Sequence, residues 1–114
     1  MSRSRLSSRS ALALLLGLGG LVLAASAQAE TGWAASHPRQ AQVLERTTHL
    51  QRRITEEVRT GEIGPARAYA LRRQVGRLRA REQALARRNG GYITTQQQAA
   101  LNAQEDRISR RVGP

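Results

Sequence analysis

From Pro38 onward the large apolar side chains recur at helical spacing, and the pattern breaks only twice, at residues 61–65 and 89–91. Val43, Leu50, Ile54 and Val58, with Thr47 between them, mark one stripe; Leu71, Val75, Leu78 and Leu85 mark a second; Leu101, Ile108 and Val112 mark a third. Steps of three, four and seven residues return to one face of a helix, whereas a half-buried strand would alternate. The fold class expected is therefore all-α, with three helices and two connections.

The connections carry their own signals. Pro38 suits the first turn of a helix, where its missing amide hydrogen would be unpaired anyway, with Ser36 or His37 as the cap. Gly61 ends that helix, and Gly64-Pro65 starts the next by the same proline logic. Asn89-Gly90-Gly91 ends the second helix. Thr94, with Gln97 three residues on, has the spacing of a capping box. Helices of roughly 22, 24 and 17 residues would run about 33, 36 and 26 Å. Short connections make neighbours antiparallel, so the expected order is up-down-up.

Gly61-x-Ile63 returns as Gly91-x-Ile93, thirty residues later. The same register matches Leu71 with Leu101, Gln74 with Gln104, Arg77 with Arg107, Leu78 with Ile108 and Arg81 with Arg111. A hinge and an inward stripe that repeat together point to one helix–hinge–helix unit used twice, with the middle helix shared. The Asn89–Thr94 segment also resembles the second half of an EF-hand loop. Its ligand positions would fall on Ala86, Arg88, Gly90 and Gln97, a poor oxygen set for calcium, so only the turn is expected.

The first 29 residues read as an address. Arg3, Arg5 and Arg9 precede an apolar run, Ala11 to Ala25, and two A-x-A frames close it at Ala27 and Ala29. That is the plan of a secretory signal peptide, cut after Ala29 or Ala27. The rival is a retained inner-membrane anchor, but a spanning helix needs roughly 20 apolar residues, and Gly17, Gly19 and Gly20 interrupt this shorter run. The expected organisation is a leader at 1–29, a tether at 30–37 containing Trp33, and a helical domain at 38–114, in the bacterial periplasm.

Charge then narrows the partner. All 19 basic residues are arginine, against 8 acids, and the formal net charge is +11. Outside the cytoplasm such a surface meets lipid headgroups, lipopolysaccharide phosphates and acidic proteins rather than a genome. Aromatic residues make up 3% of the chain and Phe is absent, which disfavours a base-stacking nucleic-acid module. Cysteine is absent too, so disulfides, thiolate metal sites and a cysteine nucleophile are excluded.

On the middle helix, Arg73, Arg77, Arg81 and Arg88 fall opposite the apolar stripe, flanked by Arg72 and Arg79. Like charges four apart repel in a helix, so a stripe that folding does not require suggests an anionic ligand. The first helix instead mixes Glu45, Arg52, Glu56 and Arg59. Glu82 and Glu105 fall near inward stripes, and salt bridges to arginines are expected of them rather than acid–base work. His37 and His49 lack both a zinc spacing and a third ligand, so neither metal nor cofactor is expected. The apolar set is thin, so a partner, including a second copy of the chain, would help stability.

Ile93-Thr94-Thr95-Gln96-Gln97 fits the pattern [LI]-T-x-x-Q. With export, helicity and surface arginine, this resembles the Spy/CpxP group of periplasmic proteins, which carry L-T-x-x-Q motifs. The resemblance implies an all-helical, often dimeric protein with a basic concave face, acting in envelope stress as an ATP-independent chaperone or sensor partner; with no nucleophile or base apparent, no enzyme is expected. The match covers one hinge; at the other, Ile63-Gly64-Pro65 keeps only the apolar residue and the helix start. The overall pattern is also similar to that of small exported proteobacterial proteins. The expected function is binding of an anionic or unfolded-protein partner through the arginine face, with Gly61, Ile63, Pro65, Gly91, Ile93, Thr94 and Gln97 as hinge and cap. The alternative is an envelope structural or assembly component that works by helix–helix association.

Overall fold

A computed structural model describes residues 32–114; the leader and both cleavage frames lie outside the described residues. Residues 32–36 belong to one unit and His37–Pro114 forms another. In the first, residues 32–36 of the expected tether are helical, and the Ser36 hydroxyl meets the carbonyls of Gly32 and Trp33. No described helix is long and apolar enough to cross a membrane.

The second unit is all-helical: α1 (Pro38–Arg59), α2 (Pro65–Arg88) and α3 (Thr95–Val112), of 22, 24 and 18 residues. Proline opens both α1 and α2, where it costs no hydrogen bond. His37 occupies the cap position of α1 without a side-chain cap bond, and its ring stacks on Tyr92 at 4.5 Å. Thr94 and Gln97 close the expected capping box. The Gln97 amide donates to Thr94 Oγ1 at 3.0 Å, and the Thr94 amide donates to Gln97 Oε1 at 2.8 Å.

The two connections agree at some positions and differ at Thr60 and Gly90, whose φ values are −83° and +65°. Gly61 and Gly91 take φ of +79° and +98°, values that a side chain would strain. Two residues on, Ile63 and Ile93 turn into the core. The cap residues that follow, Gly64 and Thr94, have nearly the same dihedrals, φ/ψ of −81°/168° and −78°/164°.

Each helix packs against both others. Along α1 and α3 the polar partners advance together. The Arg39 guanidinium donates to the Ile93 carbonyl, Arg46 bonds the Asn102 carbonyl and Asp106, and Arg53 bonds Ser109 and the Gly113 carbonyl. Between α2 and α3 they run oppositely: Arg67 reaches the Arg111 carbonyl and Arg81 reaches Gln104. The core takes Val43, Leu50 and Ile54 from α1, Leu71, Val75 and Leu78 from α2, and Leu101, Ile108 and Val112 from α3, plus both hinge isoleucines. Ala68 completes it, while Val58 and Leu85, expected on the inward stripes, are only half-buried at its margin.

Polar groups also enter this core. Gln40, Thr47, Glu57, Glu82 and Glu105 are buried. Thr47 satisfies its hydroxyl by donating to the Leu44 carbonyl one turn back, at 2.7 Å.

Candidate functional site

The arginines of the first and second helices meet different fates. Of the five on α1, four are engaged. Three cross to α3 or its flanks, as above, and Arg59 pairs with Glu56 on its own helix. The Arg46–Asp106 pair, at 2.6 Å, holds the Asp106 carboxyl below the usual range, and the Arg59 guanidinium does the same for Glu56. Arg39, Arg46 and Arg53 fasten α3, their guanidiniums reaching backbone carbonyls, the Ser109 hydroxyl and Asp106.

Helix α2 carries eight arginines and a single acid, Glu82, which is buried. Among the described residues none of those arginines forms an ion pair; the pairs present are Arg46–Glu105, Arg46–Asp106 and Arg59–Glu56. The α2 arginines meet neutral groups instead. Arg73 lies over the Tyr69 ring at 5.8 Å, and Arg72 bonds the Thr55 hydroxyl at 3.4 Å. Arg73, Arg77, Arg79, Arg81, Arg88 and Arg72 are all exposed.

The arginine face expected from the sequence divides in space. Arg77 and Arg81 line an open groove of about 540 Å³ between α2 and α3, and Arg107 and Arg111 line its other wall. Gln74 and Gln104 complete the walls, and Ile108 supplies apolar floor. Arg73, Arg88, Arg72 and Arg79 do not line it. Within the groove Arg81 donates to Gln104 Oε1 and Arg111 donates to Gln74 Oε1, each at 3.0 Å. No carboxylate lines the groove. Helical spacing on α2 alone does not reach Arg107 and Arg111, which belong to α3. The thirty-residue register that pairs them with Arg77 and Arg81 was the signal that could have found them.

The two inward acids behave differently from each other. Glu105 is wholly buried, its nearest cation is Arg46 at 3.8 Å, and neither carboxylate oxygen has a hydrogen-bond partner. Burial pushes its carboxyl up to about 7, with Arg46 opposing and Asp106 adding to the rise. Glu82 is raised by burial alone and forms no ion pair among the described residues, unlike the salt bridge expected for it. Glu45 and His49 sit together on the exposed side of α1, near Arg46 and Arg52. Among the described residues no three His, Asp or Glu side chains gather as a metal site.

Comparison with known protein families, with curated proteins and with solved structures finds no match to this chain.

Proposed function

We propose that this chain is an exported, non-enzymatic helical protein of the bacterial periplasm that binds an anionic or unfolded-protein partner through the arginine-rich side of α2. The observation that carries this reading is the imbalance on that helix: eight arginines, one buried acid and no ion pair among the described residues. Folding gains little from such a surface, because exposed like charges repel weakly and pair with nothing. An anion would neutralise it.

The basic leader, apolar run and A-x-A frames support export, with cleavage after Ala29 or Ala27. The direction of the α1–α3 and α2–α3 hydrogen bonds supports an up-down-up bundle, and the matched dihedrals at Gly61/Gly91 and Gly64/Thr94 support two copies of one Gly-x-Ile hinge. Glu82 and Glu105 are buried, which favours a non-catalytic role for them. The capping box at Thr94 and Gln97 supports the likeness to L-T-x-x-Q proteins at one hinge, and with it an envelope-stress or chaperone-like role.

Helix–helix association as the working principle needs apolar stripes left open for a partner. Val43, Val75, Leu78 and Leu101 are wholly buried within the single chain, which favours the charge-based reading. The test is a triple variant, R73E/R77E/R81E. It should lose binding to anionic vesicles and to unfolded client proteins while keeping its helical circular dichroism. Undiminished binding of both overturns the proposal.

A further inference from the structure

The groove between α2 and α3 has an internal symmetry. Arg81 bonds Gln104 and Arg111 bonds Gln74, so each residue of one bond lies thirty positions from its counterpart in the other. Arg77 and Arg107, the remaining matched pair, fall between these two bonds in sequence on facing helices. An approximate two-fold rotation between α2 and α3 therefore exchanges the two walls.

The four guanidiniums divide into two kinds. Arg81 and Arg111 are held at the groove's ends by the glutamine carbonyls, which fixes their planes in advance. Arg77 and Arg107 line opposite walls between these two bonds in the register and form no hydrogen bond or ion pair among the described residues. Each wall thus carries one unpaired charge in the middle of the register and a second about one turn, ~6 Å, away along its helix.

Resting on the anionic-partner reading above, we infer that this groove is the binding site for an anion bearing two or more phosphate groups. Arg77 and Arg107 share its centre, and Arg81 and Arg111 take its ends. Guanidinium forks match phosphate oxygens bidentately, and a phosphate offers more acceptor oxygens than a carboxylate to guanidiniums arriving from both sides. An apolar client segment would find little here, since Ile108 is the only large apolar lining residue. The two-fold arrangement suits a ligand that is itself nearly symmetric end to end. Free oligophosphate and a lipid headgroup with two phosphates share that chemistry.

The experiment titrates the chain purified from the periplasmic fraction with tripolyphosphate by calorimetry, and with phosphatidylcholine vesicles with and without cardiolipin by co-sedimentation. Wild type, R77Q, R107Q and R73Q/R88Q are compared, with circular dichroism to confirm equal helix content. One ligand should bind per chain, and R77Q and R107Q should each weaken it by a similar factor, roughly tenfold. R73Q/R88Q should change it less than about twofold. Saturable binding of tripolyphosphate identifies a free oligophosphate; binding of cardiolipin vesicles alone identifies a headgroup. Wild-type affinity in R107Q with a loss in R73Q/R88Q overturns the groove and leaves the α2 face as the site. If neither probe binds the wild type, the groove inference fails. The broader reading then survives only if unfolded clients still bind in a way that R73E/R77E/R81E abolishes.

Discussion

Two seams of one bundle use the same side chain in opposite ways. Between α1 and α3, arginine is a fastener: Arg39, Arg46 and Arg53 reach across to carbonyls, a hydroxyl and Asp106, and Arg46 is the one of the three that pairs with carboxylates. Between α2 and α3, arginine meets only neutral oxygens, and Arg77 and Arg107 bond nothing among the described residues. The difference follows from the acids. Helix α1 carries Glu45, Glu56 and Glu57, and its partner α3 offers Asp106, whereas α2 offers only Glu82, which points inward. Composition alone counts every arginine alike; the packing separates Arg46, which meets carboxylates, from Arg77 and Arg107, which bond nothing among the described residues.

That contrast can be broken first at its most costly point. Glu105 lies in the fastened seam as a buried carboxyl raised from 4.5 to about 7. Because the folded state binds its proton more tightly than the unfolded state, the stabilisation is complete below about pH 4.5 and is lost as pH rises through about 7. Glu82 is raised too and adds in the same direction. The midpoint of thermal unfolding should therefore fall across that window in the wild type. Glu105→Gln should remove most of the fall and stabilise the alkaline form by about 2–3 kcal/mol. A wild-type midpoint that rises with pH over this range would mean Arg46 compensates Glu105 fully.

The hinges give a smaller effect. Thr94→Ala removes the side-chain acceptor for the Gln97 amide and should cost about 1 kcal/mol in urea unfolding. At the matching position Gly64 has the same extended backbone but no side chain, and no atom lies within 4 Å of where a Cβ would sit. Gly64→Ser should thus gain a few tenths of a kcal/mol. A loss there would show that the two hinges are less alike than their dihedrals.

Much of this fold is legible in the residues themselves. Pro38, Pro65 and Thr94 mark the helix starts, Gly61 and Gly91 mark the turns, and the stripes name most of the core. The helical period fixes which face a residue occupies but not which neighbour that face meets. Burial of Gln40 and Glu57, and the half-burial of Val58 and Leu85, depend on interhelical register that no single helix encodes. The site was half legible for the same reason: Arg77 and Arg81 stood out on α2, while their opposite wall belongs to another helix. Long guanidinium stems widen the gap, because an arginine can reach a partner a turn or more away.

The division of labour between the seams is tested most directly by two double variants, R77Q/R81Q and R46Q/R53Q, each measured for thermal midpoint and for co-sedimentation with phosphatidylglycerol vesicles. The first should lose binding and keep its midpoint within a few degrees, since exposed substitutions change stability by about 0.5 kcal/mol. The second should keep binding, measured below its midpoint, and unfold at a clearly lower temperature. Equal loss of binding in both variants, with unchanged midpoints in both, would contradict it.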